Sequence, residues 1–131
     1  MPTQKCPPKY VSKRYKNIIH IHDPLLEQSY WVFIGIKKAL LFKKEAEKLM
    51  PKGTVLDVDE FQSGKFTVFD FGPKGTLGII WGKDKEHLIH ELLHATIWIM
   101  GKRGIPINQE NDEIMAYYQS FLLREVERSP R

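Results

Sequence analysis

Runs of β-branched and aromatic residues recur along the chain and predict its strands. Residues 17–22 and 30–36 are rich in isoleucine and aromatic side chains, and residues 65–71 and 76–81 repeat that composition on either side of a Gly-Pro-Lys-Gly sequence. Such runs are typical of strands, and the short turn between the last two predicts a hairpin. Partial alternation of apolar and polar residues predicts one more strand over residues 54–59.

Three other segments have apolar residues at helical spacing. They span residues 37–50, 84–100 and 110–126, and the second begins at the capping residue Asp84. Apolar residues surround most of the second segment, which predicts a buried central helix. The order strand, helix, strands, helix, helix predicts an α+β domain, with the helices on one side of a small, mostly antiparallel or mixed sheet.

Composition limits the class of protein. The 131 residues are 42% hydrophobic and 27% charged, which predicts a single soluble domain. No apolar segment is long enough to cross a bilayer, and the first residues do not resemble a secretory signal, so a cytoplasmic location is expected. Cys6 is the only cysteine, which excludes an internal disulfide and a cysteine-built zinc knuckle within one chain.

Basic residues are concentrated near the start of the chain. The net charge is +4, and residues 9–16 mix lysine and arginine with two tyrosines. That mixture suits weak contact with nucleic acid through phosphates and bases, but it equally suits a solvated arm. The sequence therefore predicts a basic, flexible arm over residues 1–16 and one domain over residues 17–128.

The most informative motif is His-Glu-Leu-Leu-His at residues 90–94. Residues four apart lie on one helical face, so His90 and His94 can direct ring nitrogens at one zinc ion. Glu91 is close enough to act as the general base on a water that zinc activates. The apolar surroundings predict that these side chains face the core, where a metal would offset the cost of burying them.

A zinc site that keeps one position open for water needs a third protein ligand. No histidine follows His94, so acids near the start of the last predicted helix are the nearest downstream candidates. Glu110 and Asp112 come first and suit a capping or helix-dipole role. We therefore predict Glu113 as the third ligand.

The other histidines have less specific settings. His20 and His22 share one face of a predicted strand, and the absence of a nearby carboxylate or thiol favours solvent-facing side chains over a metal site. His87 shares the helical face of His90. It is expected to be an exposed residue at the rim of the site and not a ligand.

The run at residues 90–94, followed after eighteen residues by Glu-Ile-Met-Ala-Tyr at residues 113–117, resembles the gluzincin pattern of thermolysin-like metallopeptidases. The likeness is closer to small metallopeptidase-like proteins encoded by bacteriophages. It covers residues 75–126. The resemblance implies a minimal zincin domain and a zinc-dependent peptidase acting on peptide or protein amides, in the host cytoplasm if a phage encodes it.

The resemblance also implies roles for further residues. Residues 76–81 would form the edge strand along which an extended peptide lies. Tyr117 or Tyr118 would donate a hydrogen bond to the oxyanion, and we name Tyr117 as the candidate, with packing as the alternative for each. Tyr117 also stands where thermolysin-like enzymes have an acid that orients a zinc-bound histidine, which is a departure from their pattern.

A second function remains open at this point. A zinc-stabilised binding or inhibitor protein, such as a phage accessory factor associated with nucleic acid, would keep the ligands without needing a base. The sequence predicts a peptide or protein partner in the first case. It leaves the oligomeric state open in both.

Overall fold

The computed structural model describes residues 17–128. Predictions for Cys6, for residues 9–16 and for the rest of the basic arm lie outside the described residues. Within this part of the chain, four strands and three α-helices follow one another, with a short 3-10 turn (Gly72–Lys74) inside the second hairpin. They are β1 (Ile18–Asp23), β2 (Gln28–Phe33), α1 (Ala39–Leu49), β3 (Gly64–Asp70), β4 (Thr76–Gly82), α2 (Lys85–Lys102) and α3 (Asp112–Arg128).

The strands form one mixed sheet with the order β1-β2-β4-β3. The outer pairs β1-β2 and β3-β4 are antiparallel hairpins, and the central pair β2-β4 is parallel. The predicted α+β fold with a small mixed sheet is confirmed. The predicted edge position of residues 76–81 is wrong, because β4 pairs on both sides and β3 occupies that edge.

Helices cover both faces of the sheet. On one face α1 packs Phe42 and Ala46 against Trp31 and Trp81 in one buried cluster. The opposite face is covered by α2 and α3, which form a second cluster with side chains such as Tyr30, Val32 and Ile80. The prediction that all helices lie on one side is therefore wrong. The strands β2 and β4 are buried almost throughout, and strands of that kind need cover on both faces.

Residues 54–59 contain no strand. Their alternation arises because Leu56 and Val58 are buried in the same cluster as α1. The backbone N–H of Leu56 donates to the Glu47 carboxylate at 2.7 Å, so it has a side-chain partner where a strand would have a ladder partner. The prediction of a strand here is wrong, since burial alone produced the pattern.

The helix α2 has one buried side and one exposed side. Its N-terminus is capped by Asp84, which accepts a hydrogen bond from the His87 backbone N–H at 2.9 Å. The buried side consists of Leu88, Leu92, Ala95, Thr96, Ile99 and Met100. Among residues 17–128, no helix combines the length and hydrophobicity that a membrane span requires.

The last helix runs antiparallel to α2. Lys85 at the start of α2 forms an ion pair with Glu127 near the end of α3, at 3.0 Å. Further along, the Gln119 side-chain amide donates to the Ile89 carbonyl at 3.4 Å. Leu122 and Val126 fill the space between α3 and the sheet. The C-terminal half of α3 therefore lies beside the N-terminal half of α2.

Candidate metal centre

The helix α2 places His90 and His94 one turn apart on its exposed side. Their Nε2 atoms are 3.1 Å apart, and the two rings meet edge to face with centroids separated by 4.6 Å. Two nitrogens on a tetrahedral zinc ion, each at roughly 2.0–2.1 Å, lie about 3.3 Å from each other. The pair therefore fits a zinc ion with only a small change of its nitrogen separation.

Both histidines are exposed, so the prediction that they face the core is wrong. Helical geometry explains this, because positions 90 and 94 point away from the side that carries Leu92 and Ile99. Ile97 lies on the same outer side and is 39% exposed. The apolar residues around α2 thus extend beyond the buried side, and burial cost gives no argument for a metal here.

Glu91 lies between the histidine side of α2 and strand β3. It is half-buried, and Gly64 at the start of β3 approaches it so closely that a Cβ there would be 2.9 Å from Glu91 Cγ and Oε2. Burial raises the pKa of Glu91, while the nearby charges of His94, His90 and Lys65 act in the opposite direction. A carboxylate with a raised pKa is a better proton acceptor than an ordinary glutamate.

The structure does not bring Glu113 to the histidine pair. Across residues 17–128, no three His, Cys, Asp or Glu side chains are grouped so that they could hold a metal ion. Gln119 lies beside Ile89, and Glu113 is six residues earlier in α3, or roughly 9 Å along the helix axis. That offset places Glu113 about level with His94 and Ala95 along the axis, so position along the helix does not by itself separate it from the pair. Its role as third ligand stays a prediction.

The three acids before and within α3 are on the surface. Asp112 and Glu113 are exposed and occupy the first turn of the helix, where negative charge interacts favourably with the helix dipole. Glu110 precedes the helix, and its backbone N–H donates to the Asn108 side chain at 2.9 Å. The helix-dipole account therefore describes Asp112 and Glu113, and Glu110 lies before the helix.

The two candidate tyrosines differ in environment. Tyr118 is partly buried, and its hydroxyl is 2.7 Å from the hydroxyl of Tyr30 in the sheet. Burial raises the pKa of both phenols, so both stay protonated and connect α3 to β2. Tyr117 is 70% exposed on the neighbouring position of α3. Packing describes Tyr118, whereas a catalytic role for Tyr117 stays a prediction.

His87 is held by the residue that caps α2. Its Nδ1 lies 2.6 Å from Asp84 Oδ1, and the same oxygen accepts the His87 backbone N–H. The backbone hydrogen bond is the main cause that lowers the pKa of Asp84. The His87 side chain is 39% exposed, and its place at the rim of a metal site stays a prediction. Sequence reasoning missed its link to Asp84, although the three-residue spacing at a helix start could have indicated it.

The histidines of β1 have separate surroundings. His22 is exposed, and its Nδ1 is 2.9 Å from the hydroxyl of Ser29. His20 is half-buried, and burial is the main cause that lowers its pKa. The predicted solvent-facing position thus fits His22 and not His20.

Gly64 and Lys65 were not among the predicted site residues. Both come from β3, which only the fold brings next to α2, and a glycine that opens a strand was the one local signal. Comparison with protein-family models, curated proteins and solved structures found no match. The resemblance of residues 75–126 to metallopeptidases therefore stays an expectation from the sequence.

Proposed function

We propose that the chain is a zinc-dependent hydrolase of peptide or protein amide bonds, with His90 and His94 as ligands and Glu91 as base. The observation that carries the proposal is the pair of Nε2 atoms 3.1 Å apart beside a half-buried glutamate of raised pKa. Zinc, when bound there, is a Lewis acid that lowers the pKa of water and polarises a carbonyl group.

Glu91 performs the proton transfers in this proposal. Its carboxylate accepts a proton as water forms a C–O bond to the amide carbon, and it gives that proton to the amide nitrogen as the C–N bond breaks. Gly64 limits the positions that Glu91 can take, because its Cα lies against the side chain. The base is thereby kept beside the histidine pair.

The strand β3 is the place where an extended substrate would lie. It is an edge strand, its first residue touches Glu91, and an exposed edge can pair with the main chain of a peptide. This assignment replaces β4, which has no free edge. Phe66 of β3 meets Trp98 of α2 with ring centroids 5.8 Å apart, so β3 and α2 are also packed together further along.

A second candidate is a zinc-stabilised binding protein without catalysis. Its supporting observation is that the described residues offer two histidines and no grouped third donor. A binding protein has no need for a water position or for a base, so Glu91 would be dispensable to it.

Metal content and turnover distinguish the two candidates. We expect zinc in the purified chain, loss of zinc in His94→Ala, and retention of zinc in Glu91→Gln, with amide hydrolysis of an unfolded protein substrate lowered by roughly 100-fold or more. His22→Ala is the matched control, as another exposed histidine on a different element. Unchanged hydrolysis in Glu91→Gln contradicts the role of Glu91 as the base, whereas no hydrolysis in the wild type with one zinc ion bound to each chain supports the binding protein. Absence of zinc from the wild type contradicts both candidates.

A further inference from the structure

We infer that the outer side of α2 pairs with the same surface of a second copy around one shared zinc ion. This inference rests on the zinc binding proposed for His90 and His94. It adds that pairing fills the remaining coordination positions of the zinc ion. We call the surface the histidine face. It consists of His90, His94, Ile97 and Gly101.

The number of ligands is the first argument. Zinc in structural sites takes four protein ligands in a tetrahedron, and the histidine pair supplies two of them. Within residues 17–128 no third donor is grouped with the pair. A twofold axis brings the same patch of both copies together, so it would add two more imidazoles at the same ion. The donor set is thus complementary to itself.

The shape of the histidine face is the second argument. Both histidines are exposed, and Ile97 leaves 39% of its surface in solvent one turn further along. Gly101 follows on the same side, and no atom lies within 4 Å of the position of a Cβ there. Because Gly101 has no side chain, another helix can approach α2 there to the usual interaxial distance of about 8–10 Å. Pairing would also cover Ile97.

Closure of the site is the consequence. Four imidazoles leave zinc no position for water or for a substrate carbonyl, so the paired state is inactive. Zinc in excess of one ion for two chains gives each histidine pair its own ion and separates the copies. The ratio of zinc to chain therefore sets the proportion of the open, hydrolytic form.

Stepwise addition of zinc to the metal-free full chain tests the pairing by native mass spectrometry and sedimentation velocity. We expect a mass twice the 15.3 kDa of one chain, with one zinc for two chains, and a return to the single-chain mass in several-fold excess of zinc. His22→Ala should behave like the wild type. His90→Ala and His94→Ala should remain single at every ratio.

Ile97→Lys separates the contact surface from the ligands, because a protonated amine adds no donor atom for zinc. It keeps both histidines, so single chains should still bind zinc, while the pairing constant falls roughly tenfold or more because a charge would be buried against an apolar contact. Single-chain mass at all ratios with one zinc each, or pairing that survives loss of a histidine, overturns the inference and leaves the proposed hydrolase standing. Zinc-dependent pairing, with no hydrolysis even from the single chains that form in excess zinc, leaves the inference standing and overturns the hydrolase.

Discussion

The two sides of α2 are governed by different requirements. On the inner side Leu88, Leu92 and Ile99 are buried, and the Cα of Gly82 at the end of β4 lies against the helix backbone. The outer side exposes His90 and His94. Folding therefore restricts the residues of the inner side closely and those of the outer side very little.

The difference explains how an exposed pair can have a defined geometry. The inner side fixes the position and rotation of α2 relative to the sheet, and the four-residue spacing then fixes the two imidazoles relative to each other. A helix that moved as a whole would carry both histidines with it but would change their distance from β3. Glu91 and Gly64 lie where the two requirements meet, since Gly64 belongs to the sheet and touches the base.

The substitution expected to destabilise the packing of the inner side most is Gly82→Ala. The added Cβ would lie 2.3 Å from the backbone nitrogen of Leu88 and 2.4 Å from its Cα, and no side-chain rotation can relieve contact with backbone. We expect unfolding free energy to fall by about 3 kcal/mol, at the upper end of overpacking effects. Urea denaturation measures it.

Gly101→Ala is the matched control for that experiment. It is the same substitution at the far end of α2, with open space around the new Cβ. Alanine is a better helix former than glycine, so stability should rise by up to about 1 kcal/mol. Equal losses in the two variants would show that Gly82 is not a point of close approach.

Local features of the fold could be predicted from sequence, and long-range pairing could not. The helices were found within a few residues because their periodicity is a property of the segment itself. The hairpin of β3 and β4 was found for the same reason. Which of its strands pairs with β2 depends on parallel contacts such as Val32 with Ile80, and neither strand carries a local signal for them.

The candidate site divides along the same line. His90 and His94 lie on one helix, so their spacing alone predicts that they meet. A ligand on α3 also requires the length of α2 and the register between two helices. The helix α3 returns along α2 with Gln119 beside Ile89, so Glu113 is about level with His94 along the axis, and no spacing in the sequence specifies its distance from the pair across the two helices. Similarly, Tyr118 meets Tyr30 across most of the chain, and no local pattern indicates that contact.

A smaller loss of stability is expected from Gly64→Ala, which lies where the inner and outer sides of α2 meet. Its Cβ would be 2.9 Å from Glu91 Oε2 and 3.1 Å from the carbonyl oxygen of Trp81, so we expect the flexible glutamate side chain to be pushed away from β3. We expect a loss of roughly 1–2 kcal/mol of stability. If the side chain is then less buried, the pKa of Glu91 should fall toward its ordinary value. The rate of hydrolysis should fall as well, because the base is displaced.

Carbon-detected NMR titration of the Glu91 carboxyl measures that pKa in wild type and variant. For the pKa of Glu91 in the metal-free protein, Gly101→Ala again supplies the comparison, because its new methyl group lies far along α2 from the base. An unchanged pKa with unchanged hydrolysis would mean that Gly64 does not hold Glu91 in its half-buried position.

The smallest effect is expected from the charge of Glu91 itself. Burial raises its pKa in the folded chain above the ordinary value of 4.5 that applies to the unfolded chain. The free energy of unfolding is therefore unaffected by this group below the ordinary pKa, where Glu91 is protonated in both states. It falls as pH rises through the raised pKa of the folded chain, because ionisation is easier in the unfolded chain. Glutamine stays neutral at every pH, so Glu91→Gln should gain stability relative to wild type as pH rises from the ordinary value of 4.5 through the raised pKa of the folded chain. Urea denaturation of the metal-free proteins across that range measures the difference, which should be modest because water screens a half-buried charge. A wild type that instead gains on the variant as pH rises would mean that the histidines and Lys65 outweigh burial, and that Glu91 is held as a charged partner and not as a base.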